Sequence, residues 1–258
     1  MYKGFNLKFD INSDKETELY NAGKIIYDRK KLEIRKTLEE LLLDNGKIDG
    51  SKMQENWFPQ VKSDIFISHS HQDERKAIIL AGILNSAFKI ELFIDSCIWG
   101  NSTDLLKLID NKYCMQDDGY YNYSKRNYST SHVHMMLSIA LNKMIDKTEC
   151  LFFINTPNSI TTSSLIEKTE SPWIYSEIAM SKLLHHKELS RYRDTKIRTF
   201  AKGGKLSLNE SFEYELDLSH LTDIDNRDLI KWIEEYNGEQ YPLDVLYRQQ
   251  YNKNIIGG

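Results

Sequence analysis

The residues best able to do chemistry lie in two short stretches. In "SDIFISHSHQDERK", residues 63–76, an apolar run ends in Ser68, His69, Ser70, His71, Gln72, Asp73 and Glu74. Two imidazoles and a carboxylate at His-x-His-x-Asp spacing could ligate a metal. They could equally form the lip of a pocket where a parallel strand turns into a helix. In "SPWIYSEIAMSKLL", residues 171–184, Ser171 suits a helix N-cap and Pro172 the first helical position. Trp173 and Glu177 then fall at i and i+4 on one helix face. An indole beside a carboxylate suits an aromatic, positively charged leaving group. Taken singly, Trp173 fits core packing equally well, and Glu177 fits a solvated face.

The metal reading fails on its surroundings. The pattern partly resembles the metallo-β-lactamase signature, but the sixth position, a second-site His in that family, is Glu74 here. A Gly-rich turn should follow, whereas "ERKAIILAG" reads as a helix. A strand alternates its faces, so His69 and His71 diverge unless the backbone bends. His132, His134, His185, His186 and His220 sit in no supporting motif. In "SHVHMM" two histidines at i and i+2 point about 200° apart on a helix. A metal-dependent hydrolase using His69, His71 and Asp73 therefore ranks third among the functional readings, and no metal is expected.

Positioning these side chains requires alternating strands and helices. "DIFIS" (64–68), "IELFID" (90–95) and "CLFFINT" (150–156) are short apolar runs. Helical patterns separate them, at 73–88 and from about 131 to 147, and another follows at 171–186. Fully apolar strands between helices indicate a parallel sheet covered on both faces. "FEYELDL" (212–218) reads as a further strand and "NRDLIKWIEEYN" (226–237) as a helix capped by Asn226. Residues 13–45 carry helical periodicity, with Asn45-Gly46 as a stop. The expected organisation is an N-terminal helical extension (1–61), an α/β domain (62–240) and a C-terminal tail (241–258). The Tyr-rich stretch 112–131 is expected as an ordered insertion or lid loop.

Charge and composition narrow the functional classes. A net charge of −4 and pI near 6.0 give no global reason to expect nucleic acid or a membrane surface as partner. Cys97, Cys114 and Cys150 form no CxxC pair, which suits reduced thiols in the cytoplasm. The first residues lack the apolar core of a signal peptide, and no run approaches the roughly 18 apolar residues of a membrane span. The absence of GxGxxG and GxxxxGK[ST] argues against dinucleotide redox and P-loop chemistry.

Together the two chemical stretches resemble the Toll/interleukin-1 receptor (TIR) domain family. The first strand "DIFISHS" is similar to that family's, with Asp73 and a helix following. "IELFID" matches the second strand, and "SCIWGNSTDL" the loop that covers the active site. Trp173 to Glu177 matches its Trp-x-x-x-Glu helix, and the resemblance covers about residues 62–235. It departs in carrying Ile174 where a Cys often follows the Trp, and Trp99-Gly100 where the covering loop usually has a Pro. The long insertion is more similar to bacterial stand-alone TIR proteins of anti-phage defence, such as those of Thoeris systems.

The resemblance implies a flavodoxin-like, doubly wound parallel sheet. It also implies an enzyme that cleaves the nicotinamide–ribose bond of NAD⁺, releasing an ADP-ribose-derived signal, cyclic or linear. NAD⁺ would be a consumed substrate and no cofactor is expected. Glu177 would be the catalytic carboxylate, stabilising an oxocarbenium-like ribose. Ser68, His69, Ser70, Asp95, Cys97, Trp99 and Trp173 would contact the substrate, with His69 turned in and His71 out. For Ser68, His69 and Ser70 an ordinary strand-to-helix turn is the competing role, and for Asp95 a turn cap. Lys125 and Arg126 could reach a pyrophosphate or simply be solvated. Implied partners are further copies of the chain and an effector protein that senses the nucleotide signal. A non-catalytic TIR interaction module docking through 96–104 is the alternative.

Overall fold

The computed structural model describes residues 1–11, 14–33, 49–163, 166–184, 187–189 and 214–256. Residues 34–45 of the helix expected over 13–45, with its stop, lie outside them, as do residues 185–186 and 212–213. In chain order the described strands are β1 (Lys3–Lys8), β2 (Ile65–Ser68), β3 (Leu92–Ile94), β4 (Cys150–Ile154), β5 (Thr161–Ser163), β6 (Ile166–Thr169), β7 (Tyr214–Glu215) and β8 (Thr222–Asp225). The helices are α1 (Glu16–Glu33), α2 (Gly50–Trp57), α3 (Glu74–Phe88), α4 (Ser96–Ile109), α5 (Tyr123–Lys147), α6 (Pro172–Leu183), α7 (Asn226–Glu235) and α8 (Pro242–Ile256).

Five strands form a parallel sheet in the order β3-β2-β4-β1-β8. The expected flavodoxin-like α/β architecture is present, with helices on both sides. β2 up to Ile67 and β4 are apolar because both faces are covered. Ile65, Phe66 and Ile67 of β2 and Leu151 to Ile154 of β4 are fully buried. Right-handed crossovers sort the helices by direction of travel across the sheet. The steps β1-α1-β2 and β2-α3-β3 run one way and set α1 against α3. The return from β3 to β4 carries α4 and α5 to the opposite face, where α6 joins α5. A smaller antiparallel sheet, β5-β6-β7, follows β4.

The α1–α3 crossing depends on two glycines. A Cβ on Gly23 would lie 1.8 Å from the Ile78 carbonyl oxygen, and one on Gly82 would lie 2.4 Å from that of Leu19. Only hydrogen at these positions lets the two backbones approach so closely.

Several segments differ from expectation. Residues 1–61 do hold helices, but they also supply β1, which pairs with both β4 and β8. Phe5 and Leu7 of β1, like Leu243 and Leu246 of α8, belong to the same core as β2 and β4. The expected extension and tail are therefore layers of one core. "SCIWGNSTDL" is not a loop but the start of α4. Asp95 caps that helix by accepting from Ser96 N, and Ser102 Oγ donates to Trp99 O at 2.7 Å. The insertion 112–131 is short in loop, since α5 begins at Tyr123 with Asn122 as its cap. Among the described residues of "FEYELDL", 214–218, Tyr214–Glu215 pairs as a strand, within the smaller sheet.

Candidate active site

The strand order sets where a site can form. From β2 the chain moves toward one sheet edge and from β4 toward the other. The crevice between their carboxyl ends is a topological switch point, where ligands of open α/β sheets bind. Ser68 is the last residue of β2, and α6 follows β4. Ser171 starts α6 by accepting from Ile174 N at 3.3 Å, with Pro172 in the first turn, as the sequence predicts. That phase turns Glu177 inward, and Ser68 Oγ donates to Glu177 Oε2 at 2.6 Å across 109 residues of sequence.

His69 and Asp95 complete the cluster. Asp95 follows β3, accepts from Ser96 N at 2.7 Å and brings Oδ1 within 2.5 Å of His69 Nδ1. That last approach is close but off the axis of a hydrogen bond, so neither ring nitrogen of His69 has an aligned partner. Trp99, on the first turn of α4, stacks over His69 with centroids 5.1 Å apart and planes 14° apart. His71 is exposed, and its ring meets the same indole at 5.8 Å and 37°. His69 is thus inside and His71 outside, as expected.

Ser68, His69, Asp95 and Glu177 are each at most 1% exposed. Burial disfavours charge on all three titratable groups. It lowers the His69 imidazole to about 4, although Glu177, Glu74 and Asp73 pull the other way. It also pushes Asp95 and Glu177 well above the usual carboxylate range. For Glu177 the neighbouring Asp95 charge adds to burial, and the Ser68 hydroxyl opposes it.

The remaining expected residues lie at the margin. Ser70 Oγ donates to Asp73 Oδ2 at 3.1 Å, so both belong to the turn into α3. Asp73 also accepts from Thr156 Oγ1 at 2.5 Å and Asn158 Nδ2 at 3.0 Å. This ties the end of β2 to the turn after β4. Cys97 is 1% exposed beneath α1, its Sγ 4.0 Å from Tyr27 O, and burial raises its thiol to about 12. It is not placed to touch a substrate. Trp173 is half-buried and meets the edge of His134 at 5.7 Å and 83°. Arg126 is engaged away from the cluster, donating to Asp110 Oδ2 at 2.9 Å with its guanidinium over Tyr121.

Sequence reasoning missed Thr156, Asn158 and the contact of His134 with Trp173. "NTPNS" after β4 is a legible turn, but nothing in it says that its side chains reach back to Asp73. No group of three His, Cys, Asp or Glu among the described residues could hold a metal ion. A cleft of about 970 Å³ opens outside the carboxyl ends of β1, β4 and β8, lined by Lys8, Lys76, Thr156, Glu167 and Arg227 among others. The Glu177 cluster does not line it.

Comparison with known proteins gives no match: no family model, no curated protein and no solved structure matches the chain. The class rests on architecture: an α/β protein with a five-stranded, flavodoxin-like parallel sheet. Among the described residues no helix is long and apolar enough to cross a membrane.

Proposed function

We propose that this protein is a TIR-type NAD⁺ nucleosidase of the ADP-ribosyl cyclase kind, acting in bacterial anti-phage defence with Glu177 as its catalytic carboxylate. The observation that carries the reading is the Ser68–Glu177 hydrogen bond at the β2/β4 switch point. The carboxylate is fixed where a ligand of this fold would sit, with Trp99 stacked on the adjacent His69. Cleaving the nicotinamide–ribose bond sends the bonding electrons to neutral nicotinamide and leaves positive charge on the ribose. A carboxylate held close to that sugar in a water-poor site stabilises the charge far better than it would in water. Trp99 and Trp173 offer flat apolar surfaces to the nicotinamide or ribose, and the Ser68 hydroxyl orients the carboxylate. The acceptor that meets the ribose decides between ADP-ribose, a cyclic isomer and a conjugate. Self-association and a downstream effector that senses the product belong to this reading.

The closed state of the cluster favours a second reading. Glu177 is 1% exposed, and Trp99 is stacked on the neighbouring His69, so this conformation offers a substrate no direct access to the carboxylate. A protein that never opens this site is a TIR-like interaction module, docking a partner through the surface around 96–104.

The test is NAD⁺ consumption, with product mass, in cells expressing wild type or Glu177→Ala, with and without phage challenge. Loss with wild type alone is the expected outcome. Removing one such charge stabiliser lowers turnover by roughly 10²- to 10³-fold. Unchanged NAD⁺ under every challenge, with a folded protein, would transfer the assignment to the interaction module.

A further inference from the structure

Two buried carboxyl groups meet at the floor of the crevice. Asp95 and Glu177 come within side-chain hydrogen-bonding reach of one another, from the end of β3 and from α6. Each has one oxygen committed: Asp95 Oδ1 accepts from Ser96 N, and Glu177 Oε2 accepts from Ser68 Oγ. Each has one buried oxygen with no donor, Asp95 Oδ2 and Glu177 Oε1. Two carboxylates cannot bond each other, because both only accept. One proton between them gives both orphaned oxygens a partner. It also removes one of two like charges from a site with little water.

We propose that Asp95 is a positioning residue for Glu177, and that the pair holds a single proton between them in this closed arrangement. The His69 backbone N–H favours Asp95, but the groups facing the pair supply no counter-charge. His69 lies under Trp99 with no aligned hydrogen bond to Asp95, and burial keeps it neutral. Asp73 and Glu74, at the turn into α3, are acidic. Cys97, on α4, is held as a neutral thiol. With no cation in this set, a second negative charge has nothing to balance it.

The consequence for turnover rests on the NAD⁺ reading; the shared proton does not. A cationic nicotinamide ribosyl group entering the crevice is the counter-charge that the empty site lacks. Its arrival favours loss of the shared proton to bulk water, leaving Glu177 ionised when positive charge develops on the ribose. In the empty, closed site Glu177 is half-neutralised by its neighbour.

Infrared spectroscopy of the full chain at neutral pH, in H₂O and D₂O, tests the proton without any assay of activity. Wild type should show the carbonyl band of a protonated carboxyl, shifted in D₂O. That band should vanish in both Asp95→Asn and Glu177→Gln, because the introduced amide donates to the surviving carboxylate. Asn is also a good helix N-cap, so Asp95→Asn keeps the start of α4. A band that survives in either variant means the protons are held separately, and no band in wild type means that both groups are ionised. Either result overturns the proposal. The pH profile of NAD⁺ cleavage is the second arm. In Asp95→Asn its acidic limb should move down by about one pH unit as the like charge disappears. A profile unmoved while the infrared band is lost would retain the shared proton and reject its part in turnover. Absence of any cleavage, with the band behaving as expected, would count against the NAD⁺ reading alone.

Discussion

The two ends of the central sheet both bury acids, and they treat them in opposite ways. At the amino ends of β2 and β4 the acids are supplied with donors. Tyr241 donates to Asp64 Oδ1 at 2.9 Å, Glu91 N to Asp64 Oδ2 at 2.7 Å, and Tyr247 to Glu149 Oε1 at 3.0 Å. At the carboxyl ends Asp95 and Glu177 face each other with an unpartnered oxygen apiece, beside a histidine with no aligned bond. Buried polar groups in a finished core are hydrogen-bonded, so a concentration of exceptions marks where stability has been given up. The amino end is built to hold the sheet together, and the carboxyl end forgoes part of that satisfaction.

The largest effect expected from breaking this contrast is at the amino end. Tyr247 is 8% exposed, and burial raises its phenol far enough that it remains a donor at any working pH. Tyr247→Phe removes the donor while Glu149 stays 3% exposed. It should cost about 1–3 kcal/mol, read as a lower denaturant midpoint with an unchanged slope. A midpoint equal to that of wild type would mean that this end is no better satisfied than the other.

A smaller effect of opposite sign belongs to the carboxyl end. Glu177→Gln replaces a like-charge neighbour of Asp95 with an amide that donates, and should stabilise the fold by about 1 kcal/mol at neutral pH. The sign follows from proton uptake. Glu177 has its folded value raised above the ordinary 4.5, so the folded wild type binds more protons than the unfolded chain once the pH exceeds that value. Its stability therefore falls as pH rises toward the folded value. The advantage of the variant should be absent below about pH 4 and grow above it. Melting curves of both proteins between pH 4 and 8 measure this, and parallel curves would deny the strain.

The same contrast explains what the sequence could reveal. β2, β3 and β4 are legible because strands buried on both faces are apolar at every position. β1 and β8 are not, because "KGFNLK" and "TDID" interrupt that pattern with polar residues. Asn6 of β1 is nonetheless buried, donating to Asp223 Oδ1 at 2.7 Å and accepting from Asn155 Nδ2 at 3.0 Å. Asp225 ends β8 by capping α7. Those polar residues satisfy one another across strands distant in sequence, which local periodicity cannot register. The helical phase that puts Trp173 and Glu177 on one face is local, set by Ser171 and Pro172, so it was readable. That Glu177 is buried was not, because its partner Ser68 lies 109 residues away. The covering loop was not, because Asp95 serves as a helix cap and "CIWGNSTDLL" continues as α4. Cys97 fell on the buried face of that helix as a result.

The smallest expected effect is that of His71, and it sets this residue apart from His69. His71 is exposed, and His71→Ala should leave stability within about 0.5 kcal/mol of wild type. His69 is fully buried and lowered from 6.5 to about 4, so the unfolded chain takes up a proton in that window and the folded protein does not. Its contribution is present above pH 6.5 and is lost as the pH falls toward 4, with a slope of up to about 1.4 kcal/mol per pH unit. The raised carboxyls slope the other way in part of this range, so the comparison is made between variants. His71→Ala should follow the wild-type stability profile throughout, while His69→Gln should lose the His69 component between pH 4 and 6.5. If the two variants instead behave alike, the imidazoles share an environment and the inward–outward distinction at the end of β2 is wrong.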